Sequence, residues 1–221
     1  LKTKLQRKYM KKKIIFNSFY TGIYRGLILS LLIFIILMIS YFFLPQQYKD
    51  YIFVKEDSEQ KVLIGGNFEL IGKKGQIYTN TSFLGKPLLV FFGFTFCPDI
   101  CPYGLAIIGD VLDYMGKDVD KINSVFITLD PERDNFTRTS EFVENFHSNI
   151  IGLSGSEENI KKVADSWKVY NKKVYLEGSE LDYTIDHSSY IYLMDKSGNY
   201  VTHFSHTSDP MDITKKIKSL F

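Results

Sequence analysis

The stretch from Gly26 to Leu44, GLILSLLIFIILMISYFFL, runs 19 residues without a charge, and nothing else restricts this chain so strongly. At ~1.5 Å per residue a helix of that length spans about 28 Å, close to the ~30 Å hydrocarbon core of a bilayer. Tyr41, Phe42 and Phe43 sit near one end, where an aromatic belt lies at a membrane surface. Upstream, residues 1–25 carry Lys2, Lys4, Arg7, Lys8, Lys11, Lys12, Lys13 and Arg25 and no acid, a charge of +8. Basic flanks stay in the cytoplasm, so the body that follows is expected outside. The run is longer than the apolar region of a cleaved signal peptide and no small-x-small site follows it, which favours an uncleaved anchor. The Lys-rich leader is unlike a transit peptide. The expected setting is therefore a bacterial inner membrane crossed once, with the C-terminal domain in the periplasm.

Four segments follow: a basic cytoplasmic tail (1–25), a transmembrane signal anchor (26–44), a polar stalk (45–61) and one folded domain (62–221). The net charge of +2 hides an asymmetry. Of 27 basic and 25 acidic residues, the 196 residues after the tail hold 19 and 25, a balance of −6. An acidic body argues against nucleic acid as a partner. The tail is too short and basic to be a sensor's output domain, and its charge suits anionic lipid.

The domain alternates strand and helix signals. Phe68, Leu70 and Ile77 flank Gly72-Lys73-Lys74-Gly75 as in a hairpin. Leu88–Phe92 is five consecutive apolar residues, a central strand buried on both faces. Leu105, Ile108, Val111, Leu112 and Met115 recur at helical spacing, and Pro102 fits an early helical turn. Val125–Leu129 is a second buried strand ending at Asp130-Pro131. A helix over Thr139–Phe146, a short strand at Ile150–Leu153 and a helix capped by Ser156 come next. Val169–Leu176 and Tyr190–Met194 read as strands, with Tyr183–Ser189 a loop leading into the latter. Asp195–Asn199 turns into Tyr200–Phe204, and Pro210 starts a last amphipathic helix. The expected class is α/β, a mixed sheet covered by helices on both faces.

The two cysteines of the chain, Cys97 and Cys101, lie where the first buried strand feeds a helix, the usual edge for a site in an open α/β fold. A helix N-terminus favours thiolate, the form that binds metal or attacks disulfides. Their spacing leaves three residues between them. Helical i and i+4 Cβ atoms lie about 5–6 Å apart, wider than the ~3.5–4.5 Å of a disulfide. A metal bridging two thiolates tolerates the wider gap. The geometry leans toward metal and leaves a disulfide open.

Two thiolates need a further ligand. The histidines are His147, His187, His203 and His206. His147 near a helix end and His203/His206 near a strand end read as surface groups. His187 precedes the Tyr190–Met194 strand, from where a loop can face the cysteines, and Asp186 beside it could orient the imidazole from the second shell. Soft thiolates with one imidazole suit copper, Cu(I) or Cu(II). Zinc would want a fourth ligand that no residue obviously supplies.

Three blocks in order, Gly93-Phe94-Thr95-Phe96-Cys97-Pro98-Asp99-Ile100-Cys101-Pro102, Phe126–Asp134 (FITLDPERD) and Tyr183–Ser189 (YTIDHSS), resemble the signatures of the Sco/SenC family over roughly residues 62–221. The resemblance implies a thioredoxin-like fold and one copper ion held by Cys97, Cys101 and His187. It implies a metallochaperone that assists assembly of the binuclear copper centre in cytochrome c oxidase subunit II, by delivering copper or preparing the acceptor's thiols. A copper donor and a thiol reductant would then be further partners. Asp130, Arg133 and Asp134 match the second block, where the simplest role is a strand-end turn fixed by an Asp–Arg pair. The competing function is a thiol–disulfide oxidoreductase, or a peroxidase, acting through Cys97 and Cys101 and indifferent to His187.

Overall fold

The computed structural model describes residues 24–41, 63–176 and 182–221. The chain divides into two units, Leu1–Lys61 and Val62–Phe221. In the first, helix α1 (Tyr24–Tyr41) is long and apolar enough to cross a membrane and none of its residues is buried. It covers most of the expected anchor, whose last residues, 42–44, lie outside the described residues, as do the tail up to residue 23 and the stalk.

In the second unit a hairpin of β1 (Glu69–Ile71) and β2 (Ile77–Thr79) comes first. Its turn contains Lys74 and Gly75, both at positive φ, a conformation that glycine adopts freely. The hairpin is tied to the main sheet by paired backbone bonds between Ile71 and Ser154. Then come β3 (Leu88–Gly93), α2 (Ile100–Met115), β4 (Asn123–Thr128), α3 (Phe136–Glu144), β5 (Ile150–Leu153), α4 (Glu157–Ser166), β6 (Asn171–Tyr175), β7 (Tyr183–His187), β8 (Tyr190–Met194), β9 (Tyr200–Ser205) and α5 (Pro210–Lys218).

The main sheet has the order β5-β4-β3-β8-β9. β3, β4 and β5 run parallel, while β8 pairs antiparallel with β3 and β9 with β8. Every residue of β3 is buried, as its uninterrupted apolar run requires of a central strand. Successive side chains serve opposite layers. Phe91 meets Phe126, which meets Phe142 of α3, and Gly104 of α2 lies so close to the Phe91 ring that an added Cβ would be 2.5 Å from it. Phe92 faces the other way, against Trp167 and Tyr192. Helices thus cover both faces, as expected for this thioredoxin-like class.

Local chemistry sets the boundaries. Ser156 caps α4 by accepting from the Asn159 N–H, 3.2 Å. Helix α3 begins at Phe136 rather than Thr139, because the Asn135 side chain accepts from the Arg138 N–H, 2.9 Å, and so caps an earlier turn. One expectation is corrected outright. Tyr183–His187 is a strand, not a loop, and it pairs with β6 in a separate two-stranded ribbon, Asn171 opposite His187 and Tyr175 opposite Tyr183. Tyr183 and Ile185 are buried while Asp186 is exposed, an alternation with the period of a strand.

Candidate metal centre

The parallel strands β3, β4 and β5 end at one edge of the sheet, and the site is assembled there. After Gly93 the chain makes a turn closed by the Cys97 N–H donating to the Phe94 carbonyl, 3.2 Å. Helix α2 starts three residues later. Its N-cap, Asp99, makes no side-chain capping bond. The Cys97 sulfur does so instead, accepting from the Cys101 N–H at 3.4 Å, in the first turn where backbone donors lack helical partners. Both cysteines are free thiols, Cys101 fully buried and Cys97 partly exposed.

Cys101 has room because residue 93 is glycine. A Cβ there would lie 2.7 Å from the Cys101 Sγ and 2.9 Å from the Phe126 ring. Across the site, the His187 Nε2 stands 3.5 Å from the Cys101 Sγ, and its ring meets Phe94 edge-on at 5.8 Å. The His187 Nδ1 lies 2.9 Å from the Ser188 carbonyl oxygen. A carbonyl only accepts, so Nδ1 carries the proton and Nε2 presents its lone pair to the sulfurs.

The pair shares its charge unequally. The hydrogen bond with Cys101, helped by the backbone N–H groups of Asp99 and Cys101, brings the Cys97 thiol down to about 4. That same bond to Cys97, together with burial, raises the Cys101 thiol. At neutral pH one thiolate, on Cys97, faces one thiol.

Among the described residues, Cys97, Cys101 and His187 form the group whose donor atoms could hold a metal ion, all within 4.8 Å of one another. With bonds of about 2.3 Å to sulfur and about 2.05 Å to nitrogen, a 3.5 Å separation of Sγ and Nε2 corresponds to an angle of about 107° at a shared ion. Two soft sulfurs and one imidazole, reached from solvent on the Cys97 side, make an open three-donor set.

Asp186 is not brought to this cluster. It is exposed on the opposite face of β7 from His187, as neighbours in a strand must be, and the Ser188 carbonyl occupies the Nδ1 position. His147 accepts from the Asn149 N–H, 3.0 Å, with Asp113 3.5 Å from its Nε2. His203 packs on Tyr190 and pairs with the Tyr200 hydroxyl at 2.5 Å. Neither joins the cysteines, and His206 lies in the turn after β9.

The second sequence block does more than make a turn. Arg133 does pair with Asp130, Nε to Oδ2 2.5 Å. Asp134, also fully buried, accepts from the Thr95 N–H (2.7 Å), the Thr95 hydroxyl (2.5 Å) and the Thr128 hydroxyl (2.8 Å). Its carbonyl accepts from the Ser154 hydroxyl, 2.6 Å. One residue thus joins the ends of β3, β4 and β5 and holds the turn that carries Cys97. Its carboxyl is raised by burial against the hydrogen bonds that favour its charge. Sequence reasoning missed Thr95, Thr128 and Tyr183. The charged run Asp130–Asp134 (DPERD) at the end of an apolar strand is the one signal that pointed there.

A family model described as SCO1/SenC matches residues 56–221. The SCO2-like protein of Rickettsia prowazekii is 42% identical over 164 residues, covering 74% of this chain and 78% of that protein. Among solved structures, Bradyrhizobium japonicum ScoI with copper bound is 43% identical with a TM-score of 0.67, covering 72% of this chain and 99% of that one. Yeast Sco1 with copper bound is 33% identical with a TM-score of 0.64, over 71% of this chain and 87% of that one. Family model, relatives and fold agree with the three sequence blocks: the chain belongs to the SCO1/SenC family.

Proposed function

We propose that this chain is a membrane-anchored copper metallochaperone. It takes one copper ion as cargo on Cys97, Cys101 and His187 and assists assembly of the binuclear copper centre in cytochrome c oxidase subunit II. The observation that carries the reading is the convergence of two sulfurs and one imidazole, donors suited to copper, within 4.8 Å at one sheet edge. Copper bound in the structures of two relatives over 30% identical supports it. Membership of the SCO1/SenC family supports the oxidase-assembly part of the reading.

The geometry orders the steps. Cys97, already a thiolate and partly exposed, meets the incoming metal first. Cys101 gives up its proton to complete the pair, since only thiolate binds metal. His187 offers Nε2 without a proton to lose. Release runs the other way, with an acceptor's thiol displacing Cys97 before the buried Cys101. A copper donor loads the site, and a thiol reductant keeps both cysteines reduced.

The organisation belongs to the same proposal: a basic tail (1–25), an anchor (26–44), a stalk (45–61) and the copper domain (62–221). Helix α1, preceded by basic residues, supports a single pass through a bacterial inner membrane with the domain in the periplasm. The lowered Cys97 thiol also favours a second reading, a thiol–disulfide oxidoreductase or peroxidase. Copper titration of the reduced protein separates them. Wild type should bind one ion per chain. His187→Ala should weaken binding by about a hundredfold or more, since loss of an outer partner alone costs about 10–100-fold. Unchanged affinity in His187→Ala, with rapid metal-free turnover of a protein disulfide, would establish the enzyme reading instead. Mixing the loaded protein with a subunit II domain then tests transfer.

A further inference from the structure

The two halves of the site rest on different supports. Cys97 and Cys101 sit at the junction of β3 and α2, at the end of the main sheet, with Cys101 buried in its core. His187 ends a ribbon whose two strands pair only with each other, so no backbone ladder to the main sheet sets its height above the sulfurs. The ribbon stays stiff past His187. The Ser188 N–H donates to the Tyr170 carbonyl, 3.0 Å, and the Tyr170 N–H to the Ser188 hydroxyl, 3.2 Å. Only Ser188 and Ser189 link His187 to β8 of the main sheet, so a shift of the ribbon would carry the imidazole with it.

At the other end of β7, about 13 Å away at ~3.3 Å per residue, Tyr183 is gripped twice. Its hydroxyl donates to Asp130 Oδ1 at 2.7 Å. Its carbonyl accepts from Arg133 Nη1 at 3.0 Å. Arg133 Nε closes the triangle on Asp130 Oδ2 at 2.5 Å, and the guanidinium lies 3.7 Å over the Tyr183 ring. Lys173 of β6 also pairs with Glu132 in the same loop. Sliding or tilting β7 must break several of these contacts at once. Metal–ligand distances tolerate only about 0.2 Å, so a ribbon free to shift would spoil the third bond.

The geometry points to Tyr183 as a positioning residue. Through the Asp130–Arg133–Tyr183 clamp it fixes the His187 imidazole over the two sulfurs, and the clamp thereby sets how long copper stays bound. This rests on the three-donor site proposed above.

The test uses the full-length chain in detergent, comparing Tyr183→Phe and Arg133→Lys with wild type. Without copper, the nuclear Overhauser contact between the Phe94 and His187 rings reads the imidazole's placement. With copper, the release rate to a Cu(I) chelator reads the lifetime. Both variants should weaken the ring contact and release copper about tenfold faster, the low end of the loss typical for groups that orient a metal ligand. Ile217→Val, a core change in α5, should alter neither. Wild-type ring contact and release rate in either folded variant would overturn the clamp. His187→Ala is the reference. If it too releases copper at the wild-type rate, the three-donor reading fails. If it releases faster while Tyr183→Phe does not, the clamp alone fails.

Discussion

Replacing Gly93 by alanine tests whether the space around the buried sulfur belongs to the function. The new Cβ would stand 2.7 Å from the Cys101 Sγ and 2.9 Å from the Phe126 ring. Comfortable heavy-atom contact begins at about 3.5–4.0 Å, so the sulfur must retreat by about 1 Å or the strand must move. Neither neighbour is a free-swinging tip, for both residues are fully buried. Overpacking of a core on this scale costs about 1–3 kcal/mol. The positional effect is larger in consequence. A shift of about 1 Å is several times the ~0.2 Å tolerance of a metal–ligand bond. Gly93→Ala should therefore lose stability modestly and copper affinity severely. Trp167, the sole tryptophan and buried, reports urea unfolding, and competition with a Cu(I) chelator reports affinity. A variant as unstable as expected but with wild-type copper affinity would refute the argument, reducing Gly93 to a packing requirement.

Asp134→Asn should cost about 1–3 kcal/mol by thermal unfolding, because a buried group that accepted three hydrogen bonds is left partly unsatisfied. It should also change the pH profile. The folded carboxyl is raised, so the native state holds the proton longer than the unfolded one, and stability is lost as pH rises through the folded value. The variant should lack that slope, which urea melts across the acidic range will detect. Metal-free protein should be alkylated by iodoacetamide at Cys97 alone, with a rate already level at pH 6 since the thiol titrates at about 4, whereas Cys101 stays protonated and buried; peptide mass spectrometry reads the site, and equal labelling of both would contradict the unequal pair. Ser156→Ala should lower stability by about 1 kcal/mol through loss of the α4 cap and leave copper affinity unchanged, which separates general destabilisation from damage to the site.

Much of this was legible in the order of residue types. Continuous apolar runs mark strands buried on both faces, and the recurrence of Leu105, Ile108, Val111, Leu112 and Met115 marks a helix, because burial repeats with the period of each element. Those signals are local. β7 escaped for a physical reason too. It pairs with β6 outside the main sheet and buries only one side, so it carries a short alternation where a core strand carries an apolar run. Asp130, Arg133 and Asp134 looked like one turn, since only folding sends the Asp130–Arg133 pair to Tyr183, 50 residues from Arg133, and Asp134 to Thr95, 39 residues away.

Taken alone, the order of amino acids determined an apolar segment of membrane-spanning length, an α/β body, a cysteine pair at a strand–helix junction and a short choice of histidines. The tertiary structure brought His187, which the family resemblance had singled out, to the sulfurs, 86 residues from Cys101. It decided that the Ser188 carbonyl rather than Asp186 orients that ring, and that a glycine makes room for the buried sulfur. Helical and strand periodicity report which face of an element is buried. They hold no record of which distant elements meet, and a metal site is made of such meetings.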